Sequence, residues 1–350
     1  SIFSHFISSH ISTTTQFTYS PGIVIENDLT IEEGKWIHSG TNAIFHVYGT
    51  TTVEDGGTIY MTARVPGSTQ TMNATGDVIV ESGGFINGTN ATMNFGSLTI
   101  NNGGTYDATS GLTTVSGLTD VYGTFDAGSG NLSLGSGLTT GYSVTVNAGG
   151  TFTGGSGNHT IGSCDLNGDV VLTSGITTID SSRTTPANMA MATESALTFD
   201  DGNGTIKFTG TRRQIIHSQS GINDRTFYNM IVDKPSETVN FYNGQGFDLT
   251  IDNDLTITSG EFDTKEETSG TSRNLTVTGD VDITGTLTGN AGTHYFGSLT
   301  INDGGTYEAT SGTTTISDYL FSQGTLTDNA GTIVSPIGFL GSAPTMGGAW

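Results

Sequence analysis

The stretch FGSLTINNGGTYDATSGLTTVSG, residues 95–117, returns at residues 296–318 as FGSLTINDGGTYEATSGTTTISD. The copies lie 201 residues apart (296 − 95 = 201), align without a gap and share 18 of 23 positions. Each copy contains a short strand of alternating polar and apolar residues, a Gly-Gly corner, a Thr-aromatic pair and a second, Thr-rich strand. Such self-similarity indicates a repeat protein in which one small structural unit is stacked many times.

The Gly-Gly corner followed by an apolar or aromatic residue occurs in both copies and recurs elsewhere along the chain. It stands at residues 56–57, 83–84, 103–104, 149–150 and 304–305. The aromatic residues after successive corners, Phe85, Tyr106 and Phe125, are 21 and 19 residues apart (106 − 85 and 125 − 106). A repeat of about 20 residues with short alternating strands predicts an all-β fold, a single-stranded parallel β-solenoid with roughly 20-residue coils. Tandem β-sandwich domains would repeat nearer to about 100 residues.

Composition agrees with this fold and excludes some partners. Of 350 residues, 52 are Gly and 63 are Thr, which suits short strands separated by tight turns. The net charge is −23, so we expect neither nucleic acid nor an anionic membrane as a partner. No apolar run approaches the length of a membrane span, so none is predicted. The lone cysteine, Cys164, excludes an internal disulfide framework.

The repeat pattern divides the chain into five segments. Residues 1–22 form an N-terminal cap or inter-subunit segment, and residues 23–180 are solenoid coils. Residues 181–248 are an irregular insert, basic and aromatic, in which the sequence is consistent with longer strands or with an irregular coil. Solenoid coils resume at residues 249–328, and residues 329–350 are an apolar C-terminal assembly segment.

Both terminal segments lack charged residues, which predicts contacts with another subunit. The apolar residues of 1–22 fall at helical spacing, yet the same segment in extended form would pair with the open edge of a neighbouring subunit. The arginines of the insert would bind the acidic surface of a second copy. The predicted assembly residues are Ile2, Phe3, Phe6, Ile7, Ile11, Arg212, Arg213, Arg225, Phe339 and Trp350.

The sequence predicts no catalytic residue, no cofactor and no metal ligand. The nearest candidates for hydrolysis are Asp252 and Asp254, which would share a face if both lay on one strand. Neither has a His or Arg beside it in sequence, so we expect no enzyme. Asn-x-Ser/Thr sequons make seven asparagines candidate sites for N-glycosylation: Asn73, Asn87, Asn90, Asn131, Asn158, Asn203 and Asn274.

The repeats, together with TFYNMIVDKP at 226–235 and NDLTITSGEFD at 253–263, resemble Gly/Thr-rich parallel β-helix proteins. Such proteins occur in microbial surface filaments and adhesins and in phage fibres. The resemblance implies a structural, often oligomeric protein that is exported or carried on a virion. We therefore expect a non-enzymatic subunit that binds copies of itself and assembles into an extracellular filament or fibre on the cell surface. The alternative is a phage or surface spike that binds or cleaves glycans.

Overall fold

The computed structural model describes residues 2–3, 6–8, 15–18, 22–40, 42–63, 68–135, 138, 141–181, 189–191, 198–218, 225–241, 247–266, 269–336 and 339–341. Over these residues the protein is an all-β parallel β-solenoid, with turns of roughly 22 residues each and no helix. The predicted fold class is confirmed.

The strands up to residue 180 are short, most of them three or four residues long. They are β1 (Ile2–Phe3), β2 (Phe6–Ser8), β3 (Thr15–Thr18), β4 (Gly22–Ile25), β5 (Leu29–Ile31), β6 (Gly34–Gly40), β7 (Ile44–Val47), β8 (Thr51–Val53), β9 (Gly57–Ala63), β10 (Thr71–Val80), β11 (Phe85–Asn87), β12 (Thr92–Ile100), β13 (Thr105–Asp107), β14 (Leu112–Val115), β15 (Thr119–Val121), β16 (Thr124–Asp126), β17 (Asn131–Leu134), β18 (Val144–Val146), β19 (Thr151–Thr153), β20 (His159–Ile161), β21 (Cys164–Leu166), β22 (Asp169–Val171) and β23 (Ile176–Asp180).

Several of the later strands are longer, because they run through a corner from one ladder into the next. The later strands are β24 (Met189–Met191), β25 (Phe199–Asp200), β26 (Thr205–Thr209), β27 (Gln214–Ser218), β28 (Arg225–Phe227), β29 (Asn229–Phe241), β30 (Leu249–Ile251), β31 (Leu255–Glu266), β32 (Leu275–Ile283), β33 (Thr286–Thr288), β34 (His294–Ile301), β35 (Thr306–Glu308), β36 (Thr313–Ile316), β37 (Leu320–Ser322), β38 (Thr325–Thr327), β39 (Thr332–Val334) and β40 (Phe339–Gly341).

The chain divides into two compact units, Ser1–Thr177 with Ala196–Gly202, and Thr178–Ser195 with Asn203–Trp350. In the first unit, three parallel ladders run from turn to turn. One joins β1, β4, β7, β10, β12, β14, β17 and β20. A second ladder joins β2, β5 and β8 to the C-terminal end of β10, then to the C-terminal end of β12, and then to β15, β18 and β21. The third joins β3, β6, β9, β11, β13, β16, β19, β22 and β25.

The second unit also contains three parallel ladders. One joins β26, β29, β31, β32, β34, β37 and β40. Another joins β24, β27, β29, β31, β33, β35 and β38. The last joins β28, β30, β32, β34, β36 and β39. Each turn thus supplies one strand to each ladder, and the strands of neighbouring turns satisfy each other's backbone groups.

The Gly-Gly corners have two separate physical causes, visible at Gly304 and Gly305. Gly304 has a φ of +83°, a conformation that costs other residues strain. The N–H of Gly305 donates to the Asn302 carbonyl at 2.9 Å and closes the turn. A Cβ added to Gly305 would lie 2.3 Å from the carbonyl oxygen of Ile283 in the turn before. The first glycine is therefore required by backbone angle and the second by close stacking.

Inside the first unit, the residue after the corner packs in a column of rings. Tyr106 packs against Phe125 with the ring planes tilted by 56° and the centroids 5.0 Å apart, and Phe125 stacks on Phe152 at the same distance. The corner before Phe85 lacks the intervening Thr, so the buried position there falls one residue later. Phe85 pairs with Thr105 and faces outward, and Ile86 occupies the buried place beside Tyr106.

The described part of the segment 181–248 forms longer strands, one of the two alternatives that the sequence left open, rather than an irregular coil. Residues Thr205–Phe208 pair in parallel with Asn229–Val232, and Gln214–Ile216 pair with Val239–Phe241. Longer strands replaced the Gly-Gly corners here, which is why the repeat pattern was lost in the sequence. Residues 182–188, 192–197, 219–224 and 242–246 lie outside the described residues.

Candidate functional site

The last described strands form an open edge at one end of the second unit. Among the described residues, β39 pairs with β36 alone, and β40 pairs with β37 alone. The Thr332 N–H donates to the Gly312 carbonyl of the turn before, at 2.9 Å. Because backbone groups alternate in direction along a strand, the N–H and C=O of Ile333 point to the unpaired side. This edge offers hydrogen-bonding groups to a further strand.

The apolar residues predicted for assembly fall at the two ends of the chain. Ile2 and Phe3 form β1 and pair with Val24 and Ile25. Phe6 and Ile7 lie in β2, which pairs with β5. The N-terminal segment is therefore extended rather than helical at these residues.

At the other end, Phe339 begins β40 and pairs with Leu320. Ile11 and Trp350 lie outside the described residues. The segments predicted to mediate assembly thus contain the first and last described strands.

The three predicted arginines do not share one exposed surface. Arg212 is exposed and Arg213 half-buried, whereas Arg225 is only 7% exposed. Burial lowers the pKa of the Arg225 guanidinium. Arg225 therefore cannot present its charge to a partner in the way that the sequence predicted; it begins β28 inside the ladder, where periodicity gave no sign of a buried register.

A buried lysine ties one corner of the second unit together. Lys234 is fully buried, and its Nζ donates to the carbonyls of Thr209, Gly210 and Arg212 at 3.2, 3.2 and 2.7 Å. It also donates to Oε1 of Gln214 at 3.1 Å. Burial lowers the pKa of Lys234 to about 8. Its ammonium group holds these four oxygen atoms together, and no pattern in the sequence predicted that this lysine would be buried.

The sequon asparagines differ in exposure. Asn90, Asn131, Asn158, Asn203 and Asn274 are exposed, and Asn73 and Asn87 are half-buried. Three of the exposed ones hold the ladder: Oδ1 of Asn131 accepts the Asn158 N–H at 2.8 Å, Oδ1 of Asn158 accepts the Ile176 N–H at 3.0 Å, and Oδ1 of Asn274 accepts the Thr293 N–H at 2.7 Å. Asn87, at the end of β11, uses its Nδ2, the atom that would carry a glycan, to donate to Asp107 at 2.9 Å. These asparagines therefore have a structural role in the ladder.

A groove of about 540 Å³ in the first unit crosses four turns of one ladder. His46 and Tyr48 stack at its first turn, with ring centroids 6.1 Å apart and planes 13° from parallel. Asn73 Nδ2 donates to His46 Nδ1 at 3.4 Å, and Asn94 Nδ2 donates to Asn73 Oδ1 at 2.8 Å. The groove therefore combines an aromatic platform with a row of amides, and the sequence analysis did not find it because its residues are 20 to 30 positions apart.

A second groove, of about 440 Å³, lies in the second unit and contains Glu237 and Glu261. Both carboxylate oxygens of Glu261 are engaged: Oε2 accepts from Thr238 Oγ1 at 3.0 Å, and Oε1 accepts from Thr288 Oγ1 at 2.7 Å. These bonds join three turns of the ladder. Glu261 is thus a structural carboxylate in this groove.

The aspartates considered for hydrolysis are arranged differently from the prediction. Asp252 and Asp254 lie in the bend between β30 and β31 rather than on one strand. Oδ1 of Asp254 accepts the Asp280 N–H of the next turn at 2.9 Å. Among the described residues, no group of three or more His, Cys, Asp or Glu is placed to hold a metal ion. No helix in the described part of the chain is long and apolar enough to cross a membrane.

Comparisons with protein-family models, with curated proteins and with solved structures found no match for this chain. The class that the fold defines is the Thr- and Gly-rich parallel β-solenoid.

Proposed function

We propose that the protein is a non-enzymatic structural subunit that assembles, copy onto copy, into an extracellular filament or fibre of the kind found in surface appendages. The observation that carries the proposal is the one-sided pairing of β39 and β40 at the end of the second unit. A parallel ladder ending in an unpaired strand is a template for another strand of the same type.

The composition of the terminal segments supports self-assembly. Residues 1–25 and 329–350 contain no charged residue, whereas natural edge strands that resist pairing usually carry charges or proline. Pro336 lies between β39 and β40 and belongs to neither strand. Val334 in β39 is 48% exposed. A net charge of −23 opposes contacts between the sides of two copies. End-to-end stacking is therefore favoured over lateral association. A virion fibre is the alternative setting for the same assembly.

Substitution of Ile333 tests the role of the edge. Ile333→Pro removes the N–H that points to the open side and leaves the Thr332 bond to Gly312 in place. Ile333→Ala is the matched control, because it shortens the same side chain but keeps the N–H. We expect Ile333→Pro to raise the concentration needed for polymer formation by about tenfold or more, and Ile333→Ala to change it far less.

Sedimentation of polymer over a concentration series measures this difference, and circular dichroism establishes that both variants are folded. Equal polymer formation by folded Ile333→Pro and wild-type protein would refute assembly through this edge. Reduced assembly in both variants to the same extent would assign the effect to the side chain instead.

A further inference from the structure

We infer that the groove containing His46 and Tyr48 binds a neutral oligosaccharide chain laid along the axis of the first unit. The inference is independent of self-assembly, because it rests on side chains on one lateral ladder and not on the ends of the chain. It concerns binding alone, and no bond is made or broken.

The groove has the length and direction of an extended chain. His46, Asn73, Asn94 and Thr114 stand at the same register position in four successive turns. Strands in a ladder are about 4.8 Å apart, so the row spans about 14 Å. An occupant that touches every residue of the row must run across the strands, parallel to the solenoid axis.

The chemistry of the lining favours a polyhydroxylated ligand. The backbone beneath the row is used in the ladder, so a peptide could form no strand-like pairing there. The groups that remain free to recognise a ligand are side-chain amides and hydroxyls. Among the described residues, Oδ1 of Asn94 accepts no hydrogen bond, and its Nδ2 donates to Oδ1 of Asn73. The hydroxyl of Ser116 donates to backbone carbonyls of the preceding turn and keeps its lone pairs for an incoming O–H.

The aromatic platform supplies the apolar contact that sugar rings require. Tyr48 is 55% exposed, although exposed aromatic rings normally gain by covering one face. Its near-parallel stacking on His46 gives the platform two adjoining rings. One face of a pyranose ring carries C–H groups, which stack on such a surface while the hydroxyl groups at its edge reach the amides.

Charge narrows the ligand class further. No carboxylate, lysine or arginine lines the groove, so nothing in it would neutralise an acidic sugar. The protein as a whole carries −23, which repels polyanions. A neutral chain of hexose or N-acetylhexosamine units fits these conditions.

Calorimetric titration of the full chain with cellohexaose, mannohexaose and chitohexaose tests the inference. We expect at least one of them to bind, and Tyr48→Ala to weaken that binding by about tenfold, because one aromatic stacking contact is lost. Tyr48→Phe keeps the ring and should bind like the wild type. Asn94→Ala should also weaken binding. The matched control is Tyr122→Ala, since Tyr122 is 44% exposed in the same unit but lies outside the groove.

Three results would overturn the inference. The first is that none of the three neutral hexasaccharides binds at millimolar concentration. The second is equal weakening by Tyr48→Ala and Tyr122→Ala, which would place binding elsewhere or make it nonspecific. The third is tighter binding of hexagalacturonate than of every neutral chain, which would contradict the assigned ligand class.

Discussion

At the scale of single residues, the two sequence copies are each preceded, two positions before they begin, by a buried residue that differs between them and has a chemical consequence. In the first copy, the Tyr106 hydroxyl and Thr113 Oγ1 lie 2.6 Å apart in a hydrogen bond. In the second, Tyr307 forms the same bond with Thr314 at 2.8 Å and a further one with His294 Nδ1 at 3.0 Å. The 201-residue offset places Met93 where the second copy has His294. The chain thus contains its own histidine-free version of this cluster.

His294 should make the protein sensitive to acid. Burial lowers its pKa from 6.5 to about 4, and its Nε2 has no partner among the described residues. The unfolded chain therefore binds a proton at a higher pH than the folded chain does. The stability contributed by neutral His294 is complete above pH 6.5 and is lost as pH falls from 6.5 to about 4, by about 3 kcal/mol in all.

Replacement of His294 by Met, the residue of the other copy, checks this prediction. Urea unfolding at pH 7 and pH 4 should show that His294→Met loses about 3 kcal/mol less stability than the wild type over that interval. The other buried histidines with lowered pKa values, His38, His159 and His217, are present in both proteins. Their effect cancels in the comparison. An identical loss in the two proteins would contradict the assignment to His294.

Single residues also show which features of the structure the sequence could predict and which it could not. The repeat spacing predicted stacked turns correctly, and the aromatic residues Tyr106, Phe125 and Phe152 lie buried in successive turns. It could not detect that Lys234 is buried, because its ammonium group is held by carbonyl groups of residues more than 20 positions earlier in the chain. The groove at His46 was missed for the same reason, since its residues are brought together only by the register of the ladders.

At the scale of elements, the repeated Gly-Gly corner is the local feature that allows successive turns of the solenoid to stack. Repeated glycine pairs were visible in the sequence, and they correctly predicted stacked turns. Where a longer strand passes through a corner, as in β29, the pattern disappears although the ladder continues. This is why the sequence of the segment 181–248 could not distinguish longer strands from an irregular coil.

The glycine pair at 304–305 allows the two causes of the corner to be separated. Gly304→Ala meets no atom within 4 Å but places a Cβ at a φ of +83°, so it should cost about 1 kcal/mol. Gly305→Ala would bring its Cβ to 2.3 Å from the Ile283 carbonyl oxygen, and should cost about 3 kcal/mol because a backbone must move. Urea unfolding of both variants measures the two costs. Equal costs, or a larger cost at Gly304, would contradict this account of the corner.

At the scale of the whole molecule, the net charge of −23 is carried by residues 26–328, and residues 1–25 and 329–350 contain no charged residue. The proposed assembly uses this distribution, because like charges repel and the uncharged segments can pair with another copy without that repulsion. Stacking one copy onto another would extend the same parallel pairing that builds each unit. The central claim is therefore that the protein polymerises along its ladders.

Cryo-electron microscopy of the purified full chain tests that claim most directly. We expect long filaments of uniform width whose averaged diffraction contains a layer line near 4.8 Å, the spacing of strands along the axis. Discrete particles of a single size at every concentration, with no filament and no such layer line, would contradict the claim.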